Sequence, residues 1–388
     1  MNTVVSLLWG LTFLIAHLGL WVAAYNRVNA FDLPRSLTKP LMKGLLLVAL
    51  ATPLYLAYSD PSGIDLTYRL QNIDPVASNL LGIYVVFVYS SLFWLGLPWI
   101  HSRPILRNGW LRVPIQVKIV NVANEIPKPL PLTPKCKWFS RVPFNQIFEL
   151  SIEQIDLPVI GLPEGLDGYR IAHLSDVHLT GDVSPEFTSY ALGIADQWGP
   201  DMLALTGDLI DSEDCINWLG DIFSSVKVDD GAYFILGNHD ARMPSVSPIR
   251  SAMERAGWVD LGGKQMSVEL RKHNVTLVGS ESPWLEEPES LKLDDHAFRI
   301  LLSHSPDQIR WAQTNHVHLM LAGHTHGGQG RLPLLGPVLS PSVYGSRFAS
   351  GQFYRRPTTM HVTRGLSGTR LLRLNCRPEL SLLTLRQA

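Results

Sequence analysis

Five short blocks in this chain carry side chains able to bind a metal ion: Asp176-Val-His178, Gly207-Asp208-Leu-Ile-Asp211, Gly237-Asn238-His239-Asp240, Ser303-His304 and Gly323-His324-Thr-His326. Together they offer carboxylate, amide and imidazole donors and no thiolate, a set suited to one or two divalent first-row metals. Any single block reads as ordinary turn chemistry. All five, however, follow short apolar runs: Ile171–Leu174, Met202–Leu205, Tyr233–Leu236, Ile300–Leu302 and Leu319–Leu321. Such runs read as buried strands, and the ends of strands are where open α/β sheets collect their ligands.

Spacing assigns further roles. Gly207 lets the backbone turn tightly before Asp208, so Asp208 is the best carboxylate to bridge two ions. In extended chain, residues two apart face the same side, which lets Asp176/His178 and His324/His326 each present two groups to one cluster. Two metals about 3.5–4 Å apart can clamp an in-line phosphoryl displacement. The leaving oxygen then needs a proton, and His239 is the general-acid candidate. Asp240 is read as fixing the loop. His17, His173, His273, His296, His316, His318 and His361 lack motif spacing and are read as packed or surface residues.

The order D-x-H, G-D-x-x-D, G-N-H-D, S-H and G-H-T-H resembles the calcineurin-like metallophosphoesterase superfamily over residues 150–388. Gly323-His-Thr-His-Gly-Gly-Gln329 and Thr363-Arg-Gly-Leu366 resemble its membrane-associated bacterial branch with YkuE-type catalytic domains. The closing block, Asn375-Cys-Arg-Pro-Glu379, is one residue longer than the family's N-x-P-E pattern. The resemblance implies an α/β fold in which two sheets pack face to face with helices outside. It also implies two divalent ions (Mn, Fe or Zn), the first held by Asp176, His178 and His326 with Asp208. The second would take Asp208, Asn238, His304 and His324, while Asp211 would hold His239 protonated and oriented.

Positioning these blocks falls to alternating strands and helices. Helices are expected over 185–198, 213–225, 246–257 and 306–314, with strands at 147–155, 358–364 and 380–386. The Pro-rich segment 101–150 reads as an extended connector. Residues 330–357 read as a rim beside the metals, with Arg331, Arg347 and Arg355 available to phosphate.

The apolar content, 46% against 17% charged, is concentrated near the N-terminus. Segments 4–24, 42–58 and 77–100 are expected to span a membrane, the middle one interrupted by Pro53. Met1–Ala24 lacks the basic leader of a signal peptide and reads as an anchor. Arg27, Arg35, Lys39 and Lys43 follow the first span. After the third come Arg103, Arg107, Arg112, Lys118, Lys128, Lys135, Lys137 and Arg141, whereas the loop at 59–76 holds Asp60, Asp65 and Asp74 against Arg69. The positive-inside bias then places the catalytic portion in the cytoplasm and the chain in the inner membrane. A net charge of −1 gives no global electrostatic case for nucleic acid. Cys136, Cys215 and Cys376 share no metal spacing and fit a reducing compartment, with Cys376 expected in a C-terminal strand.

The chain thus divides into an anchor (1–100), a basic connector (101–150) and a catalytic domain (151–388). The expected activity is hydrolysis of a phosphate ester or pyrophosphate in a small or lipid-linked substrate, such as UDP-diacylglucosamine. Its alternatives are a general phosphodiesterase or phosphomonoesterase, and a metal-binding membrane sensor without turnover.

Overall fold

The computed structural model describes residues 3–59, 75–102, 113–288, 291, 297–368 and 370–388. Arg103, Arg107, Arg112, Arg69, His296 and the acidic residues Asp60, Asp65 and Asp74 lie outside them. The chain forms two compact units, one of Met1–Asn108 with Val343–Arg347 and one of Gly109–Ser342 with Phe348–Ala388.

The first unit is helical: α1 (Thr3–Val28), α2 (Arg35–Ser59) and α3 (Pro75–Ser91), the last continuing through a π-helical turn at Leu92–Gly96 into Leu97–His101. Three stretches, Leu8–Val28, Arg35–Tyr55 and Gly82–His101, are long and apolar enough to cross a membrane. Leu47, Leu54, Ile83 and Val86 on these helices are each about two-thirds exposed. The middle helix starts well before residue 42 and runs through Pro40 and Pro53. A polar knot ties the three helices together. His17 Nε2 donates to the Ala49 carbonyl at 3.1 Å, Tyr84 Oη donates to His17 Nδ1 at 2.6 Å, and Trp21 Nε1 donates to Tyr84 Oη at 3.0 Å. His17 is thus fully buried, satisfied by partners on both other helices.

The second unit is built on two sheets. The first has the order β1-β2-β15-β3-β4-β5-β6, from Ile115–Asn121, Glu149–Val159, Glu379–Gln387, Arg170–Leu174, Met202–Thr206, Ala232–Ile235 and Val259–Asp260. The second has the order β13-β14-β10-β9-β8-β7, from Gly351–Arg355, Thr358–Val362, Leu319–Ala322, Phe298–Ser303, His273–Ser280 and Gln265–Leu270. Strands β3, β4 and β5 run parallel, as do β8, β9, β10 and β14.

Strand alternation sorts the core into layers. Ile171, Met202, Ala204, Tyr233 and Ile235 face the second sheet and pack with Val275, Leu277, Ile300, Leu302, Leu319 and Leu321. Their neighbours Ala172, Leu174, Leu203, Leu205 and Phe234 face outward. That outer face is covered by helices α4 (Glu186–Trp198), α5 (Ile216–Phe223) and α6 (Ser247–Arg255), through Phe187, Leu192, Leu219, Phe223, Ile249 and Met253. Helix α7 (Ile309–Thr314) packs beside β14. Strands buried on both faces read as continuous apolar runs rather than alternating ones, which is why they were legible in the sequence.

Three expectations change. The segment read as an extended connector supplies β1, an edge strand paired antiparallel with β2 from Ile115↔Ile155 to Asn121↔Glu149. The segment read as a long rim holds a short hairpin, β11 (Arg331–Leu332) with β12 (Gly336–Pro337), and the edge strand β13. Cys376 lies ahead of β15 rather than in a strand; it is buried, and its Sγ donates to the His326 carbonyl at 3.2 Å.

Candidate metal centre

The C-terminal ends of β3, β4, β5, β9 and β10 deliver the five blocks to one place. Ligand-type atoms of Asp176, His178, Asp208 and His326 lie within 4.8 Å of one another, as do those of Asp208, His304 and His324. Asp208 belongs to both groups. Its Oδ2 is 3.4 Å from His178 Nε2 and its Oδ1 is 3.4 Å from His304 Nε2. Asn238 joins the second group, its Oδ1 3.0 Å from His304 Nε2. All seven residues picked as ligands are therefore brought together.

The backbone that places them is not extended. Asp176, His178, Asp208, His324 and His326 all have positive φ, from 47° to 69°. The two-residue spacing works through paired left-handed turns, not through the same-side rule of extended chain. Such conformations cost of order 1–3 kcal/mol each and persist only where surroundings enforce them. Here the loops are stitched to one another. Asp176 N donates to Gly207 O and His178 N to Asp208 O, both at 2.9 Å, and His324 N donates to the Asp176 carboxylate at 3.0 Å. Gly207, at φ +92°, passes so close to its neighbours that a Cβ there would sit 2.6 Å from His304 Nδ1 and 2.8 Å from Gly237 N.

Three of the four imidazoles are held by Nδ1. His178 Nδ1 donates to Asp211 Oδ2 at 2.7 Å, His304 Nδ1 to the Thr206 carbonyl at 2.7 Å, and His326 Nδ1 to the Ser367 carbonyl at 3.1 Å. Each bond fixes the tautomer and turns the Nε2 lone pair inward, the usual outer support of metal-binding histidines. The consequence is a crowding of acceptors that a bound cation would relieve. His178 Nε2 and His326 Nε2 face each other at 3.2 Å, while Asp208 Oδ2 and His324 Nε2 are buried without a hydrogen-bond partner. A buried orphaned acceptor is costly, so the donor set fits a pair of divalent ions.

The electrostatics agree. Burial alone would raise the Asp208 carboxyl, but the His304, His239 and His178 imidazoles hold it well below the usual carboxylate range. Asp240 is fully buried and accepts from Leu209 N, Ile210 N and Gly237 N at 2.9–3.2 Å. It clamps the Asp208 loop to the Asn238 loop, the loop-fixing role read from the sequence. His239 Nδ1 hydrogen-bonds Asp211 Oδ1, so one carboxylate orients both His178 and His239.

Several residues at the centre had no sequence signal. Arg242 Nη1 lies 2.5 Å from His239 Nε2. Arg373, fully buried, donates to the carbonyls of Ser367, Arg364 and His326, the last at 3.4 Å. Of the arginines expected at the rim, Arg331 donates to Ser350 Oγ and Arg355 lies over the Phe348 ring. Among the histidines set aside, His173 and His361 are both fully buried, with rings 5.4 Å apart. For His361 this corrects the reading of a polar stretch, because β14 is covered on both faces.

Residues 169–328 match the family of calcineurin-like phosphoesterases. The chain is 30% identical over 234 residues to an uncharacterized metallophosphoesterase, YkuE, of Bacillus subtilis, covering 58% of this chain and 82% of that protein. It is 28% identical over 222 residues to the phosphodiesterase YaeI of Escherichia coli, covering 56% and 82%. It is also 27% identical over 259 residues to a transmembrane protein with a metallophosphoesterase domain from Danio rerio, covering 61% and 57%.

Proposed function

Since the chain belongs to the calcineurin-like phosphoesterase family, we propose that it is a membrane-anchored hydrolase of phosphodiester or pyrophosphate bonds, acting at a two-metal centre. The observation that carries this reading is Asp208, whose two carboxylate oxygens face two different histidine groups. Asp176, His178, Asp208 and His326 would hold one ion; Asp208, Asn238, His304 and His324 would hold the other. Bound there, divalent ions supply Lewis-acid activation of water and of the phosphoryl group.

The remaining chemistry belongs to the protein. Asp211 orients His239 through Nδ1; once Arg242 turns from His239 Nε2 to the phosphate, a proton carried on Nε2 can pass to the departing oxygen, and Asp240 keeps both loops in place. Arg242 sits beside His239 Nε2, where a guanidinium can engage a phosphate oxygen. The diester preference is supported by the likeness to a phosphodiesterase.

The three apolar helices support a membrane anchor over residues 1–100. Lys118, Lys128, Lys135, Lys137 and Arg141 after the third support a cytoplasmic catalytic face at the inner membrane. Residues 101–150 connect the anchor to the catalytic domain at 151–388 and lend it β1. An enzyme tethered this way shares a surface with lipids, so a lipid-linked pyrophosphate such as UDP-diacylglucosamine is the substrate we favour.

The test is turnover by the full-length chain in detergent, stripped and reloaded with Mn²⁺. Truncation near residue 145 is avoided because it would remove β1. A model diester, a phosphomonoester and a UDP-linked acylated glucosamine are compared. Preference for the UDP-lipid supports the full reading, while hydrolysis of the diester alone reduces it to a broad phosphodiesterase. Folded, metal-loaded protein without turnover on any of the three overturns it.

A further inference from the structure

Beside the second group of ligands lies an aromatic ring that is not itself a metal ligand. Trp284 packs its indole against two imidazoles, with ring centroids 4.6 Å from His324 and 5.5 Å from His304. Trp284 is only partly buried. His304 does not depend on it for orientation, being fixed by its Nδ1 bond to Thr206.

The turn that carries Trp284 is anchored firmly. Glu281, fully buried, accepts from Leu236 N at 2.6 Å and from Arg250 Nη2 at 2.6 Å. Trp284 N and Leu285 N then donate to the Glu281 carbonyl at 3.1 and 3.3 Å. Leu236 immediately precedes the Gly237-Asn238-His239 block, so one carboxylate ties the tryptophan turn to the loop bearing Asn238 and His239. The indole is therefore held in register with the centre.

We propose that Trp284 is a substrate-binding platform for a planar ring carried by the ester group of the scissile phosphate, such as the base of a nucleoside. This rests on the phosphoesterase reading above and deepens it by naming the ester group. The indole lies 4.6 Å from the ring of His324, a residue that would hold the second ion, so the ester group of a phosphate bound there comes near it, and an aromatic side chain beside an anion-binding site suits a nucleobase or aryl ring. A simple alkyl ester would gain little there. Base stacking on an aromatic side chain corresponds to roughly 5- to 150-fold in affinity.

The experiment uses the full-length, Mn²⁺-loaded chain with a p-nitrophenyl phosphodiester as reporter. Inhibition constants for AMP and methyl phosphate are measured on the wild type, Trp284→Ala and Trp284→Phe, with metal content determined for each. The expected result is tighter AMP than methyl phosphate in the wild type. Trp284→Ala should weaken AMP by roughly 5- to 150-fold with methyl phosphate changed less than about twofold, and Trp284→Phe should restore most of the difference. If both inhibitors weaken together, or if metal is lost, the tryptophan only shields His304 and His324 and the proposal is overturned. Turnover without any AMP preference also overturns it while leaving the phosphoesterase reading intact. Loaded wild-type protein with no turnover at all overturns the underlying reading instead.

Discussion

Asp211 offers the sharpest test of the centre because it serves two masters with one carboxylate. Its Oδ2 accepts from His178 Nδ1 at 2.7 Å and its Oδ1 from His239 Nδ1. Asp211→Asn keeps the size but leaves a single acceptor oxygen, so one of the two imidazoles must lose its partner. Removing the outer partner of a ligating histidine typically costs about 10- to 100-fold in metal affinity. Losing an oriented general acid costs about 10²- to 10⁴-fold in turnover. The two arms separate experimentally. The half-saturating Mn²⁺ concentration reports His178, and kcat at saturating Mn²⁺ reports His239. His239→Ala should lower kcat by about 10²- to 10⁴-fold with metal content unchanged. Adding Asp211→Asn to that variant should then lower kcat at saturating Mn²⁺ by less than about threefold, because the acid it oriented is gone. For a 100-fold single effect, the coupling would be about 2 to 2.7 kcal/mol. Additive losses in the double variant would refute the assignment of His239 as the group Asp211 serves in turnover. Loss of metal in His239→Ala would refute its separation from the ligands.

Asp208→Ala should lose metal and activity together, seen as loss of both bound ions by elemental analysis. Gly237→Ala should do nearly the same while leaving the ligand types intact, since the new Cβ would lie 2.6 Å from His304 Cε1 and 2.7 Å from Asp208 N. Retention of normal Mn²⁺ binding in that variant would contradict the tight loop contact. Burial holds the His361 imidazole down at about 4, against an ordinary 6.5. The unfolded chain therefore binds the proton first as pH falls. His361 contributes its full stability above about pH 6.5 and loses about 3 kcal/mol of it between there and pH 4. His361→Gln should flatten the pH dependence of denaturant unfolding across that window, and an unchanged slope would show that His361 is not the group responsible. In the helical unit, Tyr84→Phe should weaken helix association by about 1 kcal/mol, read from the detergent concentration needed to dissociate it.

How much of this was written in the sequence depends on range. The donor types, their order and the apolar runs ahead of them are local, and they carry the resemblance that implies Asp176, His178, Asp208, Asn238, His304, His324 and His326 as one ligand set. The buried strands and the three apolar helices were legible for the same reason: burial on both faces, or in lipid, demands uninterrupted apolar side chains. What the sequence does not encode locally is which distant loop holds each group. The left-handed turns at five of the ligands are enforced by hydrogen bonds between blocks up to 148 residues apart, as between Asp176 and His324. The second arm of Asp211, the buried Arg373 behind His326 and the ring of Trp284 over two imidazoles likewise arise from loops meeting at strand ends. Edge strands β1 and β13 escaped because β1 is exposed at all but one residue and β13 is only partly buried, and such a strand among prolines and glycines carries no apolar run to announce it. Sequence alone determined which chemistry was available; packing of the two sheets decided which oxygen and which nitrogen face one another, because that depends on contacts no local period records.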